Sequence, residues 1–102
     1  MAARRQEVPS KPRPRRSVLR LYVAGTSPNS TEAIANLAEI EKRITEVKLE
    51  LEIIDVFRFP ARGLADSILV TPTLVRISPR PSIRIVGNLR DLELVMRSLE
   101  LR

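Results

Sequence analysis

The sequence predicts an α/β domain built on a four-stranded mixed sheet with helices on both faces. Three observations carry that expectation. First, two β-type segments, Val18–Gly25 and Val47–Val56, flank a stretch with helical apolar spacing. A strand–helix–strand order of this length implies a parallel pair joined by a right-handed crossover. Second, the rest of the chain reads as a short helix, two short strands around a Pro-rich turn, and a closing helix. Third, 102 residues supply one modest core, and a chain of this size builds one domain rather than several.

The first strand is the run Val18, Leu19, Leu21, Tyr22 and Val23, interrupted only by Arg20 and ended by Gly25. Ser27 before Pro28 reads as a helix N-cap with proline at the first helical position. Thr31 and Glu32 are expected to keep the first turn polar and acidic. The stripe Ile34, Leu37, Ile40 and Ile44 carries that helix to about Ile44. Val47–Val56 alternates at first and becomes continuously apolar, as expected of a strand with one wet face early and two covered faces late. Arg58–Gly63 reads as a loop with Pro60 and Gly63 as breakers, and Leu64–Val70 as a short helix with Leu64, Ala65, Ile68 and Leu69 on one face. Thr73–Ile77 and Ser82–Val86 form a hairpin around Ser78-Pro79-Arg80-Pro81. Asn88 or Asp91 caps a last helix with the stripe Leu92, Val95, Met96 and Leu99. The order βαβαββα with a four-stranded mixed sheet is the thioredoxin-like plan.

Composition then excludes chemistry. There is no Cys and no His, which removes thiol nucleophiles, disulfides, imidazole bases and most zinc sites. The only aromatic residues are Tyr22, Phe57 and Phe59, so the core is expected to be aliphatic, with at least one phenylalanine folded back into it. The net charge of +6 is concentrated at the start: residues 1–17 hold six Lys/Arg and one acid, and residues 18–102 hold twelve Lys/Arg and eleven acids. Residues 1–17 are expected to be a disordered, basic Pro/Arg-rich tail, and 18–102 the folded domain. No apolar run approaches the ~20 residues of a membrane span. Pro9, Pro12 and Pro14 argue against an amphipathic leader helix. Together these features point to the cytoplasm.

Several short motifs occur in order. Leu21-Tyr22-Val23-Ala24-Gly25 is followed by Ser27-Pro28-Asn29-Ser30. Ile54-Asp55-Val56 closes the second strand. Leu69-Val70-Thr71-Pro72-Thr73-Leu74 precedes the third, and Pro79, Pro81 and Ile85-Val86-Gly87 mark the hairpin. Each is weak alone; as an ordered set without gaps from about Leu19 to Leu99 they resemble the KaiB family. The resemblance implies a non-enzymatic clock or timing regulator that binds a KaiC-like ATPase and modulates its phosphorylation or signalling cycle, with no cofactor and no metal. It also implies that other clock regulators, or the sensor domain of a histidine kinase, compete for the same surface. Some KaiB-like proteins adopt a self-associating ground state (βαββααβ) in which the second half is refolded. Asn88 stands where the well-known members usually have Asp, and Ser98 where glycine is common. Serine is the better helix former by a few tenths of a kcal/mol. The expectation is therefore a monomer in the thioredoxin-like state, with dimers or tetramers belonging to the alternative fold.

The residues singled out follow from this. Ser27-Pro28-Asn29-Ser30 occupies the place where thioredoxins keep Cys-x-x-Cys; without a thiol or a base it has no redox chemistry, and an N-cap is the better reading than an anion site. By resemblance Thr71-Pro72 is a cis bond beside the partner surface, while Pro79 and Pro81 are read first as turn stiffeners and second as further switch prolines. With Asn88 and Ser98 they complete the set of conformational-switch candidates. Arg58, Phe59 and Arg62 mix charge with an aromatic in one loop, which suits a protein interface. Arg76, Arg80, Arg84 and Arg90 line one edge of the hairpin in this reading, as a basic contact patch or as charge that suppresses edge pairing, so Arg76 and Arg84 join the partner-binding candidates. The scattered glutamates fit solvated faces, with Glu39 pairing to Lys42 or Arg43. Two other functions stand beside the first: a nucleic-acid-associated small basic protein using the tail, against which the near-neutral body argues, and a sensor-type docking module unrelated to timing.

Overall fold

A computed structural model describes residues 15–102. The elements are β1 (Arg15–Val23), α1 (Pro28–Arg43), β2 (Val47–Asp55), α2 (Pro60–Ala65), β3 (Thr73–Ser78), β4 (Ile83–Val86) and α3 (Leu92–Ser98). The sheet order is β2-β1-β3-β4. β1 pairs in parallel with β2 and antiparallel with β3, and β3 pairs antiparallel with β4.

The strand alternation sorts side chains onto two unlike faces. Leu19, Leu21, Val23 and Leu74 point to one, where Ala33, Leu37 and Ile40 of α1 and Val95, Met96 and Leu99 of α3 cover them. This is the main core, and it is aliphatic. The other face carries the smaller cluster Tyr22, Ile54 and Val75, against which Val56, Ile68 and Ile77 pack. Among the described residues, only α2 and the segment after it lie over that face.

Several elements differ from the sequence reading. Of the expected tail, residues 1–14 lie outside the described residues, whereas Arg15, Arg16 and Ser17 open β1 and pair with Val47, Lys48 and Leu49. Pairing to β2, not apolar content, extends the strand. β2 is an edge strand, and Ile53 near its end stays half exposed instead of covered. Pro60 starts α2 and does not break it: proline at the first helical position has no N–H to lose and a suitable φ. The helix then ends at Ala65, and Ile68–Val70 lie beyond it. Ser27 is the N-cap of α1 but makes no side-chain capping bond, and the first turn holds no acid, since Glu32 lies one turn further on. Ser30, buried in the first turn, instead ties α1 to the end of β1, its Oγ accepting the Ala24 N–H at 3.0 Å. Asp91 caps α3, its Oδ1 accepting the Leu94 N–H at 3.1 Å.

The end of α3 has an unusual stop. Leu101 N–H bonds to Met96 O at 2.8 Å and Glu100 N–H to Arg97 O at 3.0 Å, with Glu100 at φ 59° and Leu101 buried. This is the Schellman arrangement, with Glu100 where glycine is usual. Two arginines satisfy the carbonyls beside it: Arg76 donates to Leu99 O at 3.1 Å and Arg15 to Glu100 O at 2.7 Å.

Candidate partner-binding surface

The C-terminal ends of β1 and β2 lead into turns that leave apolar side chains in solvent. Gly25 follows β1 with φ 53°, and Phe57 rests its ring over the bare Cα; a Cβ there would meet Phe57 Cδ2 at 3.2 Å. The Asp55 carboxylate organises this corner by accepting the N–H groups of Gly25 at 3.0 Å and Phe57 at 2.9 Å. Those two bonds hold its pKa below the ordinary carboxylate value. Gly63 lets α2 approach β2: a Cβ at Gly63 would stand 3.1 Å from Val56 Cγ1.

Between these turns lies an apolar groove of about 410 Å³, lined by Phe57, Pro60, Leu64, Leu69, Val70 and Thr71 among others. Phe57 is 74 %, Leu64 78 % and Leu69 92 % exposed. Contiguous apolar exposure of this kind marks interaction sites. Pro72, next to the groove, is buried; the peptide bonds before Pro72, Pro79 and Pro81 are all cis.

Polar ties fix α2 beneath the groove. Arg62 grips Glu52 of β2 with both terminal nitrogens, at 2.8 and 3.1 Å, which lowers the Glu52 pKa. Asp66 accepts from the Tyr22 hydroxyl and from Arg20 at 3.1 Å. The Tyr22 bond first, then Arg20, keeps the Asp66 carboxyl below its usual range, while burial pushes the Tyr22 hydroxyl up. Arg84 reaches across from β4 to the carbonyls of Asp66 and Ser67.

The sequence-derived residues therefore separate. Arg58 and Phe59 are exposed beside the groove, the guanidinium 5.6 Å from the ring centroid. Arg62 and Arg84 tie α2 to β2 and β4. Arg76 is not a surface residue: it is 1 % exposed, on the opposite sheet face from Arg84. The four hairpin arginines consequently form no common edge. Neither phenylalanine enters the core, correcting the expectation that one must. Phe57, Leu64, Leu69 and Val70 were missed because the apolar pattern of a helix face looks the same whether it is covered or bare. Asn88 bonds the loop after β4 to α1, donating to Glu32 at 2.8 Å and receiving the Asn36 side-chain N–H on its carbonyl at 2.8 Å. Leu89 beside it is buried at φ 63°, and Ser98 is exposed in the last turn of α3. Glu39 and Arg43 form the expected i,i+4 pair at 3.1 Å.

Comparison with known proteins decides the family. The family model for the KaiB domain matches residues 20–101. This chain belongs to the KaiB family. It is 44 % identical over 84 residues to the circadian clock oscillator protein KaiB of Prochlorococcus marinus strain MIT 9313, covering 82 % of this chain and 71 % of that one. The KaiB of Trichodesmium erythraeum strain IMS101 is likewise 44 % identical, covering 82 % and 81 %. These relatives are named as clock proteins, not as enzymes. Among solved structures, the N-terminal domain of Synechococcus elongatus SasA superposes with a TM-score of 0.69 at 23 % identity, over 95 % of each chain. Chloroplastic thioredoxin z follows the same course at 0.67 and 19 % identity, over 83 % of this chain and 77 % of that one. The fold is thioredoxin-like. No helix among the described residues is long and apolar enough to cross a membrane.

Proposed function

We propose that this chain is a non-enzymatic timing regulator that docks on a KaiC-like ATPase ring and alters its phosphorylation or signalling cycle. The observation that supports it most is the groove: Phe57, Leu64 and Leu69 exposed together on a frame held by Arg62–Glu52 and Asp66–Tyr22. A rigid apolar seat rimmed by Arg58 and Phe59 has the composition of an interface centre. The mechanism in this reading is competition. A docked thioredoxin-like domain covers a surface that another clock regulator, or a histidine-kinase sensor domain of like fold, also needs.

In this reading the docking-competent fold is the resident state and a monomer, acting in the cytoplasm. Support comes from the Asp91 cap, the buried Leu101 and the two arginines on the α3 carbonyls. These interactions raise the population of the fold that binds, and apparent affinity scales with that population. A refolded alternative state would have to give all of them up.

The test is to mix the full chain with the KaiC-like ATPase of its own cell and follow complex formation by size-exclusion chromatography and the partner's phosphorylation over time. Co-elution with a changed phosphorylation course is expected. Failure to co-elute under ATP or ADP would refute the reading. Deleting residues 1–14 is expected to leave docking intact; loss of docking together with loss of nucleic-acid binding would favour the nucleic-acid reading.

A further inference from the structure

Among the described residues β4 is an edge strand, paired with β3 on one side and open on the other. The register shows which of its backbone groups are spare. Gly87 N–H bonds to Pro72 O at 2.9 Å, and Val86 stands opposite Thr73, Ile85 opposite Leu74 and Ile83 opposite Arg76. In an antiparallel ladder, bonded and non-bonded residue pairs alternate. Gly87, Ile85 and Ile83 therefore turn their N–H and C=O groups toward β3, and Arg84 and Val86 turn theirs outward. The open edge thus presents the N–H and C=O of both residues.

Beside that edge a cleft of about 230 Å³ lies between the end of β4 and α3, walled by Ile85, Val86, Leu94, Val95 and Ser98 among others. Val86 is 62 % and Leu94 53 % exposed. A strand laid along β4 would send alternate side chains to this cleft and to the opposite sheet face. Charge selects the strand. From Ser78 to Arg90 the chain carries three arginines, Arg80, Arg84 and Arg90, and no acid, and all three arginines are exposed. Arg84 spends its guanidinium on the neutral carbonyls of Asp66 and Ser67. The acids that follow are engaged: Asp91 caps α3 and Glu93 pairs with Arg102 at 3.3 Å. A second copy of β4 would set the same cations face to face, which is unfavourable across a strand pair. The charges that repel a copy attract an acidic strand.

We propose that the open edge of β4, with the cleft between β4 and α3, binds an extended acidic segment of a partner protein, which adds as a further strand and seats an apolar side chain against Leu94. The cleft shares no lining residue with the docking groove, and the inference does not rest on the docking partner.

The experiment is an NMR titration of the labelled full chain with a capped peptide alternating glutamate and valine, beside the matching lysine–valine peptide. On binding, the Arg84 and Val86 amide protons are expected to move downfield and to exchange more slowly with water. The Ile85 amide, already turned to β3, keeps its exchange rate, and the Phe57 and Leu64 amides stay still. Arg90→Glu is expected to weaken binding by about two- to fivefold, the worth of an exposed ion pair. Val86→Pro removes an outward N–H that β3 does not use, a change that edge strands accept. It is expected to weaken binding by about three- to tenfold, the net worth of one hydrogen bond. Continued protection of the Ile85 amide shows that the β3–β4 pair is intact in each variant; Arg90 is exposed, so its variant decides the matter if proline disturbs the strand. Three results overturn the proposal: the lysine–valine peptide binding as tightly, Arg84 and Val86 amides still open to water at saturation, or full affinity in the Arg90→Glu protein. Protection of those two amides that rises with protein concentration in the absence of peptide would give the edge to a second copy and overturn it as well.

Discussion

Replacing Arg76 by methionine tests whether a residue that reads as surface charge holds the fold together. The change keeps an unbranched apolar stem and removes the guanidinium with its three hydrogen bonds. The Leu99 and Pro81 carbonyls lose their partner, in a place where Arg76 itself is only 1 % exposed. Each orphaned acceptor costs about 1–3 kcal/mol. Glu100 loses a partner too, but returns to water with little penalty. Against this, the variant no longer buries a cation with an unsatisfied Nε–H, which returns about 1–3 kcal/mol. The net destabilisation expected is about 1–3 kcal/mol, a sizeable share of the ~5–15 kcal/mol typical of a domain. At about 4–8 °C per kcal/mol for a chain of this size, the midpoint falls by about 4–24 °C. Arg84→Met is the comparison: Arg84 also donates to two carbonyls, but in solvent, and its loss is expected to cost under about 1 kcal/mol. Urea and thermal unfolding of both proteins give the answer. An Arg76→Met protein as stable as Arg84→Met would refute the reasoning, because buried ion pairs are sometimes replaced by apolar side chains without loss.

Other outcomes follow from the same interactions. Asp66, Glu52 and Asp55 all have depressed pKa values. The unfolded chain therefore binds more protons in the acid range, and stability is expected to be full above about pH 4.5 and to fall as pH drops through the folded-state values. Asp66→Asn should flatten that dependence in urea midpoints measured from pH 7 to 3. Asp91→Ala removes the α3 cap and is expected to cost about 1 kcal/mol, with increased amide exchange confined to the first turn of α3. Gly25→Ala is expected to cost about 1 kcal/mol from its positive φ, and to displace the Phe57 ring, visible as shifted ring signals.

Much of the fold was legible because it rests on periodicity. The stripe of α1, the alternation at the start of β2, the Pro-marked hairpin and the Asp91 cap each have a local signature, and the order βαβαββα follows from them. What was not legible depends on what covers a residue. Leu64 and Leu69 have the same apolar character exposed as they would have buried. Arg76 lies two residues along β3 from Leu74, so strand alternation places it on the core face, whereas its charge points to solvent. The carbonyls that resolve that conflict come from residues 81 and 99, at a distance no local pattern reports. Pro60 and Gly63 have the local signature of breakers but are the first residue of α2 and the place where α2 closes on Val56.

The most direct test of the docking account is the affinity of the KaiC-like ATPase ring for Leu64→Asp, measured by isothermal titration beside the unaltered chain. Leu64 is 78 % exposed, so the fold should survive with an unchanged amide spectrum. A charge placed in the apolar centre of an interface typically costs more than ~1.4 kcal/mol, or tenfold in Kd. The account predicts at least that loss. Equal affinity for Leu64→Asp and the unaltered chain would contradict it and move the docking surface away from the groove.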